Sequence, residues 1–330
     1  MSDPCGEHII LDLDANGDFL DPGSGKPVEP RYLRGFLARE LDIPEDATDI
    51  VVFVHGWRNS PERAADSGQR LCAALESTRR ENADRYPNLG PWSGYYVTVR
   101  WPSTSNPLPW GYRRIRDRAH AMTTEGNAAE ALAHLLGYID ETRRLPGSAP
   151  VLKTAAGQYL HCVGHSFGGR FLVEAVQAAA ESRPTTLGWN RSNPKYPYTV
   201  DTLVVFQMAA PPTIFADRLP RLLGDAPING PIVVTHSTAD RANGLWHWFA
   251  ERATGVGYRG VREPADQLQS IRLRALGEEY GYDDFEARIV NVDANWRYRS
   301  GRFRRVEGAH SDFWYPESAH LILGLANLAR

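Results

Sequence analysis

Ser166 stands in a sequence pattern that could make it a nucleophile. Residues 164–168 read Gly-His-Ser-Phe-Gly, between an apolar stretch at 159–163 and a stretch typical of a helix at 169–182. A serine on so sharp a strand-to-helix turn has a strained backbone, and side chains two residues to either side would collide with it, so glycines fit there. Such a turn lifts the hydroxyl to the carboxyl end of a sheet and aims the first helix amides at the oxyanion that forms after attack. The pattern therefore predicts that Ser166 attacks an ester-like carbonyl.

An oxyanion needs a second donor, and the segment at 50–57 is the candidate source. Its apolar residues run directly into His55, Gly56 and Trp57, which predicts a tight turn at the carboxyl end of a buried strand. We therefore predict that the backbone amides of Trp57 and Phe167 bind the oxyanion. His55 precedes the serine, whereas the base follows it in folds with this turn, so we expect His55 to hold its loop by hydrogen bonding.

The base should lie on a loop after the last strand, and His310 meets this condition. It lies between an apolar stretch at 287–292 and a helix expected to begin at Pro316. His165 lies inside the turn that carries the serine, and we expect its ring to point away from the serine hydroxyl. We predict that His310 accepts the proton of Ser166 and later donates it to the leaving group.

Two aspartates compete for the role of the acid that orients the base. Asp240 follows the apolar stretch at 231–235 and is the preferred candidate, expected to fix the tautomer of the base and to stabilise its charged form. Asp217 follows the stretch at 202–208 and is the alternative, since some members of the fold take their acid from that strand. Asp201 begins a predicted strand and so faces the wrong end of the sheet.

The elements that would position these residues alternate between strand and helix. Apolar, β-branched stretches predict buried strands at 8–13, 50–55, 95–101, 159–163, 202–208, 231–235 and 287–292. Helices are predicted at 61–80, 123–144, 169–182 and 316–330. The alternation predicts a mostly parallel central sheet flanked by helices. Together with the turn at Ser166, it predicts an α/β-hydrolase fold. We expect one domain over 1–330, with 1–48 as an N-terminal hairpin-like extension and 241–284 as a candidate cap or lid insertion.

Charge and cysteine content narrow the classes of partner. The chain carries 37 basic and 40 acidic residues, a formal net charge of −3, which gives no electrostatic footprint for nucleic acid or acidic membranes. The three cysteines are odd in number and far apart, so no disulfide framework is predicted. No metal-binding spacing, secretory start or membrane-spanning apolar run occurs. We expect a cytoplasmic protein with no nucleic-acid partner, membrane insertion, metal or cofactor, and the sequence leaves the oligomeric state open.

Aromatic residues after the preferred acid are candidates for a substrate pocket. Trp246, His247, Trp248 and Phe249 could line an acyl pocket or form part of a cap, or they could form a helix that packs on the core. Trp246 and Trp248, with His55 and His165, are the candidate pocket residues.

These residues also carry a resemblance. The chain resembles α/β-hydrolases of a bacterial serine-esterase-like family of unknown function and, more distantly, the lipases. The shared segments are 51–59 (VVFVHGWRN), 99–103 (VRWPS), 164–169 (GHSFGG), 237–242 (STADRA) and 308–311 (GAHS). The resemblance implies esterase-type chemistry and favours Asp240 and His310 over their rivals, but it implies no substrate.

The predicted function is therefore cofactor-free hydrolysis of a small-molecule carboxylic ester or thioester through an acyl-enzyme intermediate. Two alternatives stay open. One is a catalytically silent α/β-hydrolase that serves as a binding protein, because a fold does not fix a function. The other is a peptidase or amidase that uses the same three residues.

Overall fold

A central β-sheet organises the chain. The computed structural model describes residues 8–57, 59–105, 109–143, 157–181, 199–248, 253–302 and 307–330. The strands are β1 (His8–Asp12), β2 (Asp49–Val54), β3 (Gly94–Arg100), β4 (Tyr159–His165), β5 (Thr202–Phe206), β6 (Ile232–His236), β7 (Leu268–Arg272) and β8 (Ile289–Asp293). They form an eight-stranded sheet in the order β1-β3-β2-β4-β5-β6-β8-β7, and every described pair is parallel. This is the predicted α/β-hydrolase fold.

Helices cover both faces of the sheet. They are α1 (Leu33–Glu40), α2 (Pro61–Glu81), α3 (Pro109–Thr124), α4 (Ala128–Thr142), α5 (Phe167–Glu181), α6 (Ile214–Arg218), α7 (Val256–Arg259) and α8 (Pro316–Leu328). The single helix predicted at 123–144 is wrong in extent, because its first residues end α3 and a turn separates them from α4. α2 begins as its sequence indicates: Pro61 is its first residue, and the Ser60 hydroxyl accepts a hydrogen bond from the Arg63 amide.

The central strands are buried on both faces, which explains why their sequences are mostly apolar. All six residues of β2 are buried. Val52 and Val54 point into a core that also holds apolar residues of α4 and α5, while Val51 and Phe53 point into a second core shared with α2 and α8. Alternate side chains of one strand therefore stabilise two separate layers.

β7 is the strand that the sequence did not predict. Among the described strands it lies at the edge of the sheet and pairs with β8 alone, and each of its residues is at least partly exposed. An edge strand with one wet face carries polar residues at alternate positions, so Leu268–Arg272 lacks the continuous apolar pattern of the inner strands.

A buried ion network holds the amino ends of the strands. The Arg143 guanidinium donates to the Asp201 carboxylate at 2.5 Å and to the Asp140 carboxylate at 3.0 Å, and the Arg143 and Asp201 side chains are fully buried. Asp201 thus lies at the end of the sheet opposite the loops that follow the strands. Its role is structural.

The cysteines differ from the sequence-based expectation. Cys162 on β4 is a buried free thiol, and burial raises its pKa well above the ordinary value. Cys72 on α2 is disulfide-bonded, so the expectation drawn from odd number and wide spacing is wrong at this position, because separation along the chain does not fix separation in space. Cys5 lies outside the described residues.

The two segments singled out from the sequence contribute to the same sheet. Within 1–48, β1 pairs with β3, and a tight turn after it closes with an antiparallel bridge between Leu13 and Phe19. Within 241–284 lie a π-helical turn (Ala242–Trp246), α7 and β7. Residues 1–7 and 249–252 lie outside the described part of the chain. In that described part, no helix has the length and apolar character needed to cross a bilayer.

Candidate active site

Ser166 occupies the turn between β4 and α5 in a strained backbone conformation. Its φ is +56°, a value that residues other than glycine rarely adopt, and its amide donates to the Phe206 carbonyl at 2.9 Å. A Cβ on Gly164 would lie 2.3 Å from the Gly169 Cα, and a Cβ on Gly168 would lie 2.2 Å from the Val54 carbonyl oxygen. The two glycines therefore permit the tight turn, for the steric reason that the sequence pattern indicates.

A continuous chain of hydrogen bonds joins Ser166, His310 and Asp240. The His310 Nε2 lies 2.8 Å from the Ser166 Oγ, and the His310 Nδ1 lies 2.9 Å from the Asp240 Oδ2. Because a carboxylate accepts, Nδ1 carries the proton that it donates to Asp240, and Nε2 is left to accept from the serine hydroxyl. All three side chains are buried, with residue exposures of 0%, 1% and 0% in the order Ser166, His310, Asp240.

Backbone contacts hold the loop of His310 against the loop of Asp240. Asp240 and Gly308 form an antiparallel bridge, and the Ala309 amide donates to the Ala239 carbonyl at 2.9 Å. His310 follows directly, so its position depends on the segment that carries Asp240.

Asp217, the alternative acid, lies elsewhere. It is an exposed residue of α6, and its carboxylate accepts from the Thr213 hydroxyl at 2.6 Å. It lines a separate cavity of about 280 Å³ with Arg116 and Arg170. The structure brings Asp240 to His310, and it does not bring Asp217 there.

The loop that begins at His55 passes directly beside the serine. A Cβ on Gly56 would lie 2.9 Å from the Ser166 Cβ, so the backbone around Gly56 and Trp57 is adjacent to Ser166. Phe167 is the first residue of α5, where backbone N–H groups point out of the helix end. Both predicted donors thus come from backbone next to Ser166, and the amides of Trp57 and Phe167 remain the predicted oxyanion hole.

His55 is held in a single tautomer by backbone contacts. Its Nε2 accepts from the Trp101 amide at 3.1 Å, so its Nδ1 carries the proton and donates to the Gly56 carbonyl at 2.8 Å. Its ring stacks on the Trp101 ring at 5.9 Å. Burial lowers the pKa of His55 from 6.5 to about 4, so the ring is neutral at pH 7. These contacts are those of a residue that holds a loop.

The His165 side chain contacts the backbone of His310. Its Nε2–H donates to the His310 carbonyl at 2.8 Å, and its ring lies 4.9 Å from the His310 ring and 4.5 Å from the Phe313 ring, measured between centroids. Burial, followed by the neighbouring His310, holds the pKa of His165 well below its ordinary value. The neutral ring therefore packs under the loop of the base.

The candidate pocket residues are not gathered at one place. A cavity of about 400 Å³ has His55, Trp57, His165 and Ser311 in its lining, and neither Ser166 nor His310 is among the described residues that line it. Trp248 is half exposed and lies outside that lining. Trp246 ends the π-helical turn, and Phe249 lies outside the described residues.

Two buried side-chain amides next to Asp240 were not predicted from the sequence. Gln207 follows β5 directly and Asn243 lies in the π-helical turn, and both side-chain amides donate to the Asp240 carboxylate. The signal available was a polar residue directly after a continuously apolar strand, and an asparagine three positions after the acid. Neither signal is specific, because such residues also occur in ordinary turns.

Comparison with known proteins gives only distant similarities. No protein-family model matches the chain. TT1662 from Thermus thermophilus is 14% identical over 87% of this chain and 90% of its own length, with a TM-score of 0.38. LpqC, a poly(3-hydroxybutyrate) depolymerase from Bordetella parapertussis, is 16% identical over 76% of this chain and 74% of its own, with a TM-score of 0.31. The sheet and the turn at Ser166 define an α/β-hydrolase fold.

In the described residues, no group of three or more His, Cys, Asp or Glu side chains could hold a metal ion.

Proposed function

We propose that the protein is a serine hydrolase that cleaves a carboxylic ester or a thioester, with Ser166, His310 and Asp240 as its catalytic triad. One observation carries the proposal: the unbroken hydrogen-bond chain from the Ser166 Oγ through His310 to the Asp240 carboxylate, beginning at a strained turn. A serine hydroxyl with an imidazole nitrogen 2.8 Å away is the arrangement from which a proton can leave as the oxygen attacks.

Acylation follows from this geometry. The Ser166 Oγ forms a bond to the carbonyl carbon of the substrate while its proton passes to the His310 Nε2. The carbonyl oxygen becomes an oxyanion, which accepts hydrogen bonds from the proposed amides of Trp57 and Phe167. Asp240 stabilises the imidazolium that has formed. When the tetrahedral intermediate collapses, the bond to the leaving group breaks, and His310 returns the proton to that group.

Deacylation repeats these steps with water. His310 takes a proton from the water as its oxygen attacks the acyl carbon, and the bond from that carbon to the Ser166 Oγ then breaks. The proton returns to Ser166 and the carboxylic acid leaves. Both half-reactions use the same base, so no group outside the triad has to move a proton.

Burial of the nucleophile bears on the choice of substrate. Ser166 is 0% exposed, so a long acyl chain has to displace the residues that cover it, whereas a short chain displaces fewer. We therefore propose short-chain esters as the better substrates.

The test combines covalent labelling with turnover. We expect the purified protein to react with a fluorophosphonate probe and to hydrolyse p-nitrophenyl acetate faster than the decanoate. Ser166→Ala should lose both activities, while Ser318→Ala, a matched change at a buried serine on α8, should keep them. A folded wild-type protein that neither labels nor turns over any ester would favour the binding-protein alternative, and faster cleavage of an anilide than of the matching ester would favour an amidase.

A further inference from the structure

The Asp240 carboxylate accepts more hydrogen bonds than the one that orients the base. Its Oδ2 receives the His310 Nδ1–H at 2.9 Å, the Asn243 side-chain amide at 2.8 Å and the Gln207 side-chain amide at 3.2 Å. Its Oδ1 receives the Asn243 backbone amide at 3.0 Å. Every one of these groups is buried, so fixed N–H donors of the protein surround the Asp240 carboxylate.

Gln207 connects the acid to the loop of the base. Its Nε2 donates a second hydrogen bond to the Ala309 carbonyl at 3.0 Å, one residue before His310. The backbone carbonyl of Gln207 accepts from the Asn243 side-chain amide at 2.9 Å. Both hydrogens of the Gln207 amide are therefore in use, one on the acid and one on the segment that carries the base.

The sheet order explains why this position can make the connection. β5 lies between β4 and β6, and the loop from β8 carries His310 back across them. Parallel strands are about 4.8 Å apart, so the loop spans roughly 15 Å between the ends of β8 and β4. Gln207, at the carboxyl end of β5, lies under this path.

Two features show that the arrangement is costly. Gln207 has a φ of +48°, in the region that side chains other than glycine disfavour. In addition, the Gln207 Oε1 and the Asn243 Oδ1 are buried and have no hydrogen-bond partner among the described residues. Buried acceptors without partners destabilise a fold. Rotating either amide would direct its oxygen at a carboxylate that can only accept, so the present orientation serves Asp240 at the expense of the two acceptors.

Resting on the function proposed above, we infer that Gln207 and Asn243 are positioning residues, which hold the Asp240 carboxylate in place and fix His310 over Ser166. They act through the acid and touch no substrate. Their donors fix the position of the Asp240 carboxylate, and the hydrogen bond from Gln207 to the Ala309 carbonyl fixes the segment that carries His310.

The experiment compares Gln207→Met with Gln177→Met. Both changes replace a buried glutamine with a side chain of similar length that cannot donate, but Gln177 lies on α5 eleven positions beyond the serine and bonds the Arg221 amide. We expect Gln207→Met to lower kcat about ten- to a hundredfold with KM within about twofold. Gln177→Met should change neither constant. Asn243→Ala removes the two hydrogen bonds that the Asn243 side chain donates to Gln207 and Asp240, and it should behave like Gln207→Met. It replaces Gln207→Met in the test if that variant does not fold.

A second readout does not depend on turnover. The proton shared between the His310 Nδ1 and Asp240 should give a far-downfield proton resonance, assigned by its loss in Asp240→Asn. We expect the resonance to shift or broaden in Gln207→Met and to stay unchanged in Gln177→Met. An unchanged resonance together with a kcat within twofold of Gln177→Met would overturn the inference. If wild type hydrolyses no ester but the resonance responds as expected, the proposed function fails and the positioning role stands.

Discussion

Acid should destabilise this protein through His55, and the size of the effect follows from its burial. The pKa of the ring falls from 6.5 to about 4 in the folded state because burial disfavours the charged form. The unfolded chain therefore binds more protons than the folded chain between these two values, so the free energy of unfolding falls as the pH drops from 6.5 to about 4. At about 1.4 kcal/mol for each pKa unit, the loss from this one group is about 3 kcal/mol.

His55→Gln isolates this contribution, since a glutamine carbonyl can accept from the Trp101 amide in place of the imidazole nitrogen. We expect urea unfolding of wild type to lose about 3 kcal/mol more stability between pH 7 and pH 4 than His55→Gln does. His120→Gln changes an exposed histidine and should follow wild type. Equal pH dependence in wild type and His55→Gln would refute the burial argument. Loss of all esterase activity with stability intact would instead favour His55 as a catalytic group.

Two further outcomes follow from the contacts. Asp240→Asn should lower kcat roughly 10³- to 10⁴-fold, because the neutral amide stabilises the His310 imidazolium less than the carboxylate does and its NH₂ group can hold the ring in the wrong tautomer. Asp217→Asn should stay within twofold of wild type in the same steady-state assay, and a larger loss for Asp217→Asn would reverse the assignment of the acid. Arg143→Met should reduce the free energy of unfolding by about 3–5 kcal/mol, since it leaves the Asp140 and Asp201 carboxylates buried without their partner. Arg39→Met, at an exposed ion pair, is the control in the same urea titration and should not differ from wild type.

The parts of the fold that sequence predicts are those where one physical requirement decides the residue types. Strands buried on both faces are mostly apolar, so β2, β4 and β5 are recognisable from their composition. β7 is less constrained, because each of its residues is at least partly exposed, and its sequence does not distinguish it as a strand. The same holds for the short helices α6 and α7, which carry too few residues for a helical period to show.

The residues of the site also differ in how far the sequence predicts them. Ser166 is predictable because the turn excludes side chains at Gly164 and Gly168. This requirement leaves a recognisable Gly-X-Ser-X-Gly pattern in the sequence. Gln207 is not predictable, because its positive φ and its two donated hydrogen bonds are imposed by neighbours from β6 and from the loop of His310. A glutamine after a strand has no local signature for that role. Gln207 is informative because its conformation is costly: its backbone is disfavoured, and its buried side-chain oxygen has no partner among the described residues. Such a cost is visible only once the loops meet.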